Sequence, residues 1–172
     1  MALSVVVYED NDLLRESIVS MISLNKQFQI GGAFNNVLKV EEQVKSIEPD
    51  IILMDIDMPG STGIDAVAKI RKAGWQTPIM MLTVFDDNQH VFDAICAGAS
   101  GYLLKKHLSA KLYDSIEELR SGGAPMPPSL QPKIRLPVAT WGSTRLCSSV
   151  RPAAVSCVVP APLRPEPRSS CR

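Results

Sequence analysis

The sequence predicts an α/β protein built as a doubly wound, five-stranded parallel sheet with helices on both faces. Up to about residue 121, short apolar runs alternate strictly with amphipathic stretches, and there are five of each. The apolar runs are long enough for strands and too short for typical helices. An apolar share of 45% suits a globular chain. Strict alternation of this kind favours a parallel sheet covered on both faces, with right-handed crossovers.

The five strand-like runs are bounded by polar residues, glycine or proline. The second is the weakest, because Gly31 and Gly32 interrupt its apolar side chains. Pro78 opens the fourth, where a missing N–H costs least. The predicted strands are Leu3–Tyr8, Phe28–Phe34, Ile51–Met54, Ile79–Leu82 and Gly101–Leu104.

The amphipathic stretches between these runs predict five helices. Apolar residues recur at spacings of three and four, for example from Val37 to Ile47, which predicts a helix over Val37–Ile47. Another helix is predicted over Ile64–Arg71, after Gly63. Cap residues mark the starts of the remaining three helices. The predicted caps are Asn11 or Asp12 for the first helix, Asp86 or Asp87 for the fourth, and Ser109 for the last.

The C-terminal segment, residues 123–172, differs in kind from residues 1–122. It carries ten of the 13 prolines, which interrupt helices and sheet ladders alike. Residues 1–122 hold 17 acidic and 11 basic residues (−6), whereas the tail holds one acidic and seven basic residues (+6). We therefore expect one domain over 1–122, followed by a mostly disordered tail or an aberrant, frameshifted C-terminus.

Several classes of protein are excluded by composition. No apolar run approaches the roughly 20 residues of a membrane span, and the N-terminus lacks the basic start of a signal peptide. Only Cys96 lies in the first 122 residues, and the three tail cysteines form no close pair. We therefore expect neither a disulfide framework nor a zinc site, and we expect a cytoplasmic protein.

Polar side chains capable of chemistry follow four of the predicted strands. Ligands of such sheets bind beyond the carboxyl ends of the strands, so these side chains should share one rim. Clustered carboxylates need a cation, and Mg²⁺ prefers oxygen ligands. An aspartate can act as nucleophile toward a phosphoryl group, whose oxygens a lysine and a hydroxyl can then contact. The residues in question are Glu9, Asp10, Asp55, Thr83 and Lys105.

Residues 3–121 resemble the CheY-like receiver domains of two-component response regulators. Asp55 precedes Thr83 by 28 residues, and Thr83 precedes Lys105 by 22, intervals that fit the family. Four segments carry the resemblance, each at a predicted strand end: Val7–Asp10, Leu53–Gly60, Leu82–Thr83 and Gly98–Lys105. The last of these, with Gly-Gly-Ala-Pro-Met after the final helix, is similar to the NarL/FixJ-like subfamily. The resemblance implies the flavodoxin-like strand order 2-1-3-4-5.

The resemblance also implies a role for each rim residue. Asp55 would be the phosphoacceptor, assisted by Thr83 and Lys105. The Mg²⁺ ligands would be Glu9, Asp10, Asp55 and the backbone carbonyl of Asp57. Thr83 and Tyr102 would form a switch pair, in which Tyr102 moves inward once Thr83 turns toward the phosphoryl group. That change would reshape the face made by the fourth helix, fifth strand and fifth helix.

The implied partner is a sensor histidine kinase, with phosphorylation-dependent homodimerisation as a further expectation. NarL/FixJ-like regulators continue into a LuxR-type helix-turn-helix, and no recognition helix is evident in residues 123–172. We therefore do not expect DNA binding with this C-terminus, and we expect transcriptional control only in a full-length parent. Membrane association is not expected.

One alternative belongs to another functional class. Asp55-Ile56-Asp57 after an apolar strand also resembles the nucleophile and general acid of haloacid-dehalogenase phosphatases. That family places its metal-binding acids after the nucleophile, whereas Glu9 and Asp10 precede it here. The order of the motifs favours the receiver, which is a phosphoacceptor and not a classical enzyme.

Overall fold

The computed structural model describes residues 2–84 and 88–126 of the chain. Its strands are β1 (Leu3–Tyr8), β2 (Phe28–Phe34), β3 (Ile51–Asp55), β4 (Ile79–Thr83) and β5 (Gly101–Leu104). Its α-helices are α1 (Asp12–Leu24), α2 (Val40–Ile47), α3 (Gly63–Lys72), α4 (Asn88–Ala97) and α5 (Leu108–Arg120). All strand pairs are parallel, in the order β2-β1-β3-β4-β5, which confirms the predicted fold class and strand order.

Alternate residues of each strand face opposite layers of helices. On β1, Val6 and Tyr8 pack into the apolar layer that includes α2, α3 and α4. Val5 and Val7 pack into the other layer, with α1 and α5. All four side chains are fully buried, as expected of a strand covered on both faces. Because helices cover both faces of the sheet, side chains of the strands can reach a ligand only at the strand ends.

The helix starts depart from the sequence prediction at α2 and α5, and α3 begins one residue early, at Gly63. Helix α2 begins at Val40 and not at Val37, because the Asn36 side chain accepts a hydrogen bond from the Leu38 N–H (3.1 Å) and holds a turn there. Helix α5 begins at Leu108, so Ser109 lies inside it and is not its cap. A 3₁₀ turn over Lys105–His107 leads directly into this helix and takes the place of a side-chain cap.

The start of α1 follows the prediction, with Asn11 as its cap. Its side-chain oxygen accepts a hydrogen bond from the Leu14 N–H (3.1 Å). The predicted caps Asp86 and Asp87 lie outside the described residues, as does the C-terminal segment from 127 onward. The predicted boundary between residues 122 and 123 therefore stays a prediction. None of the helices in the described ranges has the length and apolar character needed to span a bilayer.

Residues that follow α5 return to the edge of the sheet. The Tyr102 N–H of β5 donates to the carbonyl oxygen of Pro125 (2.8 Å), and Pro125 is buried. The Pro125 ring packs where a side chain on Gly101 would have to lie, with its Cγ 2.8 Å from the ideal Cβ position. Residues up to Pro125 therefore cover part of the β5 edge, which protects an otherwise open strand.

The carboxyl ends of β1 and β3 lie side by side, since Tyr8 pairs with Met54. Strand order reverses between these two strands, because β2 lies beyond β1 and β4 lies beyond β3. Sheets of this kind bind their ligands at such a reversal. The fold therefore places the end of β3 at the centre of the rim where we expect chemistry.

Gly63, the first residue of α3, touches the backbone of β3. A Cβ at this position would lie 1.8 Å from the carbonyl oxygen of Asp55, and the Gly63 N–H donates to Ile56 (2.8 Å). Backbone cannot move aside as a side chain can, so only glycine allows α3 to start this close to Asp55. The glycine thus fixes the distance between α3 and the end of β3.

We expect Gly63→Ala to lower the free energy of unfolding by about 3 kcal/mol, the upper range for overpacking. At an ordinary helix position the same change would stabilise by roughly 0.5–1 kcal/mol. The matched control is Gly74→Ala, which has a positive φ of 91° but nothing within 4 Å of its Cβ position, and should cost about 1 kcal/mol. Urea unfolding measures both; a smaller loss for Gly63→Ala than for Gly74→Ala would contradict the steric argument.

Candidate functional site

Three carboxylates converge at the carboxyl ends of β1 and β3. Glu9 and Asp10 follow β1 directly, and Asp55 is the last residue of β3. One oxygen from each lies within 4.8 Å of the others. Glu9 is fully buried and Asp55 is 2% exposed, whereas Asp10 is exposed. The structure thus brings together the three acids that the sequence predicted to be neighbours.

Lys105 lies against the two buried carboxylates. Its Nζ is 2.8 Å from Asp55 Oδ2 and 2.9 Å from both carboxylate oxygens of Glu9. Lys105 follows β5 in sequence, and its side chain reaches across the end of β4 to arrive there. A single ammonium thus bridges two acids that would otherwise repel each other.

Burial and charge act in opposite directions on these three groups. Burial raises the pKa of the Asp55 carboxyl, and Lys105 opposes that rise without cancelling it. Burial also raises the pKa of Glu9; the hydrogen bond from Lys105 lowers it and the Asp55 charge adds to the rise. Burial alone would lower the pKa of Lys105, but hydrogen bonds to Asp55 and Glu9 outweigh it and the pKa is raised. One cation therefore leaves the two carboxylates only partly compensated.

The two residues predicted as a switch pair lie on neighbouring strands. Thr83 ends β4 and pairs with Leu104 of β5. Tyr102 lies two residues before Leu104 and pairs with Met81. Because side chains alternate along a strand, Thr83 and Tyr102 are on the same face of the sheet. Both are buried, Thr83 at 1% and Tyr102 at 2% exposure. Both side chains are thus withdrawn from solvent in this structure.

Asp57 contributes backbone at this site and not its side chain. Its side chain is exposed. Burial raises the pKa of the Asp55 carboxyl, and the nearby backbone of Ile56 and Asp57 acts against that rise. The predicted contact of the Asp57 carbonyl with a metal stays a prediction.

The donor set fits a hard divalent cation. Glu9 Oε2 is buried, and among the described residues its partner is the Lys105 ammonium, 2.9 Å away in an ion pair, with no further hydrogen bond to it. Buried carboxylate oxygens are normally saturated with donors, so this oxygen has capacity for a further partner. Mg²⁺ binds through one or two carboxylates and keeps several waters, which the exposed Asp10 allows. Glu9, Asp10 and Asp55 could therefore hold Mg²⁺.

Sequence reasoning missed one residue of this site. The guanidinium of Arg15, on the first turns of α1, donates from Nη1 to the backbone carbonyl of Glu9 (2.8 Å) and forms an ion pair with Asp12. The pairing of Asp12 with Arg15 three residues later is visible in the sequence. The bond to Glu9 is not, because it depends on the turn between β1 and α1.

Residues 5–117 match the family model for the response regulator receiver domain. The transcriptional regulatory protein LnrK of Bacillus subtilis is 33% identical over 128 residues, which are 74% of this chain and 58% of that protein. The nitrate/nitrite response regulator protein NarL of Escherichia coli is 27% identical over 75% of this chain and 60% of its own. The chain thus spans less than two thirds of the length of both curated relatives.

A solved structure has the same fold. The signal receiver domain of a NarL response regulator from Mycobacterium tuberculosis superposes with a TM-score of 0.67 at 28% identity. The superposition covers 70% of this chain and 98% of that domain. What the two share is therefore a whole receiver domain and not a fragment of one.

We expect Lys105→Met to lower the free energy of unfolding by about 3 kcal/mol in Mg²⁺-free buffer at neutral pH, because it leaves two buried carboxylates without a cation. Adding Asp55→Asn removes one of those charges and should restore part of the loss. Urea unfolding of the two single variants and the double variant gives the coupling energy. The control is Lys111→Met, an exposed lysine on α5, with an expected change within about 0.5 kcal/mol. Additive effects of Lys105→Met and Asp55→Asn would show that the charges are not coupled.

Proposed function

Because this chain belongs to the response regulator receiver family, we propose that it accepts a phosphoryl group on Asp55 from a phosphohistidine of a sensor histidine kinase. The family resemblance to NarL-type regulators is confirmed by the relatives that the chain matches. The observation that carries the proposal is the Lys105 ammonium, which lies between the Asp55 and Glu9 carboxylates at the carboxyl rim. An ammonium in this position can stabilise the anionic acyl phosphate that would form on Asp55.

The transfer makes one bond and breaks one. An Asp55 carboxylate oxygen attacks phosphorus, and the bond from phosphorus to the imidazole nitrogen breaks. The imidazole keeps the electron pair and leaves neutral when its other nitrogen carries a proton. Because there is little other covalent chemistry, positioning and charge neutralisation supply most of the catalysis. Bound Mg²⁺ would neutralise charge on the phosphoryl oxygens.

The chain's own residues hold the product. The Lys105 ammonium, now 2.8 Å from Asp55 Oδ2, would move to a phosphoryl oxygen as a point charge. The Thr83 hydroxyl, at the adjacent strand end, would donate to a second phosphoryl oxygen. Glu9 and Asp10 would keep the metal beside them. Each of these residues contacts the phosphoryl group or its metal, and so each is assigned to the reaction.

The proposed output is a population shift between two packings of one face. With the Thr83 hydroxyl turned toward the phosphoryl group, Tyr102 is held inward, and the face of α4, β5 and α5 changes shape. Such a shift needs contacts that differ between the two states, and the phosphoryl–Thr83 bond is that contact. Tyr102 is 2% exposed in this structure, which is compatible with the inward position proposed for the phosphorylated state.

The reshaped face would control the downstream signal. LnrK and NarL are by name a transcriptional regulatory protein and a response regulator, so we propose that a full-length parent controls transcription. Phosphorylation-dependent homodimerisation through this face is part of the proposal, and DNA binding by residues 123–172 is not. We also propose that the reaction takes place in the cytoplasm.

The phosphatase alternative receives no support from the family match. In that alternative Asp57 would be a general acid beside Asp55, but its side chain is exposed, whereas the Asp55 carboxylate is paired with Lys105 (2.8 Å). The two acids grouped with Asp55 also follow β1 and so precede Asp55 in the chain.

Incubation with acetyl phosphate and Mg²⁺, followed by intact mass measurement, should show one added phosphoryl group. Asp55→Asn should abolish the addition, and a chelator should do the same to the wild-type chain. Asp114→Asn, a matched change at an exposed carboxylate of α5, should be labelled like the wild type. Labelling that persists in Asp55→Asn would place the phosphoacceptor elsewhere. Steady release of nitrophenol from p-nitrophenyl phosphate would favour the phosphatase.

Mg²⁺ should stabilise the folded chain by about 2.7 kcal/mol at a free concentration one hundred times its Kd, since it binds the folded acid cluster and not the unfolded chain. Thermal melts over a range of MgCl₂, at an ionic strength kept constant with NaCl, measure this shift. Asp10→Asn should remove most of it, and Asp114→Asn should not. An equal shift in wild type and Asp10→Asn would mean that the ion binds elsewhere.

A further inference from the structure

We propose that Arg15 is a positioning residue for the acidic cluster: its guanidinium holds the peptide group between Glu9 and Asp10 and thereby places Asp10 for the metal. The inference rests on the proposed function, because it concerns the Mg²⁺ that Glu9, Asp10 and Asp55 would bind. Arg15 contacts the Glu9 carbonyl, not the carboxylate oxygens that would bind the metal, and so acts through the backbone.

Every polar group of Glu9 has a defined environment, and Arg15 supplies one part of it. The Glu9 N–H donates to Phe34 (3.0 Å), so β2 holds that side of the residue. Its carboxylate contacts Lys105. Its carbonyl oxygen, which lies beyond the last strand residue, accepts from Arg15 Nη1 at 2.8 Å. Because a peptide group is planar, fixing this carbonyl also fixes the nitrogen of Asp10 and the direction in which its Cα leaves.

Asp10 depends on that backbone more than the other two acids do. Glu9 and Asp55 are buried, and the packing around them limits where their carboxylates can go. Asp10 is exposed, so no surrounding side chains confine it in the same way. Its oxygen nevertheless lies within 4.8 Å of the oxygens of the other two. The Asn11 N–H, which donates to Glu9 Oε1 (3.4 Å), holds the backbone that follows Asp10. The orientation of the Glu9–Asp10 peptide, which precedes Asp10, is therefore a second backbone constraint that keeps the exposed ligand in the cluster.

The guanidinium is itself held from a second side. The guanidinium Nη2 forms an ion pair with the Asp12 carboxylate. The backbone N–H of Arg15 donates to the carbonyl oxygen of Asn11 (2.9 Å) in the first turn of α1. The Arg15 side chain is only 18% exposed. A planar fork can reach a carbonyl and a carboxylate at once, which a lysine ammonium does with much less directional control. Arg15 thus ties the start of α1 to the end of β1.

An electrostatic role and a positioning role for Arg15 predict opposite effects of its removal on the affinity for Mg²⁺. A guanidinium near three carboxylates repels a second cation, so an arginine that acted only through its charge would weaken Mg²⁺ binding, and its removal would strengthen it. A guanidinium that places Asp10 strengthens Mg²⁺ binding, and its removal weakens it. The sign of the change in Kd therefore separates the two roles.

Isothermal calorimetry with MgCl₂ on the full chain tests this. We expect Arg15→Met to raise the Kd for Mg²⁺ by about tenfold, the range found when residues that support metal ligands are removed. Arg15→Lys keeps the charge but not the fork and should fall between Arg15→Met and wild type. At saturating Mg²⁺ the rate of labelling by acetyl phosphate should stay within about twofold of wild type, because no group that contacts the phosphoryl has been lost.

The control is Arg120→Met. Like Arg15, Arg120 forms an ion pair with an acid three residues away, Glu117 (2.8 Å). This pair lies near Leu3, at the opposite end of the sheet. Arg120→Met should leave the Kd unchanged. An unchanged or lower Kd in folded Arg15→Met overturns the inference and leaves the proposed function intact. Should Arg15→Met fail to fold by circular dichroism, Arg15→Lys decides, and a wild-type Kd there overturns the inference. Absence of Mg²⁺ binding in the wild type overturns both.

Discussion

The ion pair of Lys105 with two buried carboxylates is the constraint on which the rest of this molecule depends. Glu9 and Asp55 come from neighbouring strands and are both withdrawn from water, so their charges would destabilise the fold if nothing compensated them. Lys105 compensates part of this charge from the far side of β4. The rim therefore keeps an excess of negative charge that Lys105 does not neutralise. This excess favours binding of a cation and, once a cation is bound, of a phosphoryl group.

Most of the fold could be predicted because the strands are buried on both faces. Runs such as Ile51–Met54 admit no exposed face, so their composition alone identifies them. The helix starts were less predictable. The Asn36 side chain competes for backbone donors ahead of α2, and the 3₁₀ turn at Lys105–His107 replaces a cap at Ser109. The periodicity of apolar residues, on which the helix predictions rested, reveals neither feature.

The candidate site divides in the same way. Carboxylates, the threonine and the lysine could be predicted because the carboxyl ends of parallel strands share one edge, so Asp55 and Lys105 had to lie near each other. Arg15 could not, because its contact is with a carbonyl oxygen that any residue would offer at position 9. Gly63 could not either, since its importance comes from the approach of α3 to the Asp55 backbone. Contacts with backbone atoms are hard to predict from sequence, because every residue type offers nearly the same backbone groups.

The bond from Tyr102 to Pro125 has a practical consequence for shortened versions of the protein. A version cut after Gly122, two residues beyond the end of α5, would remove Pro125, which covers the outer strand beside Tyr102. Exposed strand edges recruit other chains, so self-association measured on that version would mix edge-to-edge stacking with any true signalling dimer. Versions that retain Met126 keep the capping residue and report on assembly more faithfully. The first few positions after the last helix therefore belong with the folded body in any work on isolated pieces.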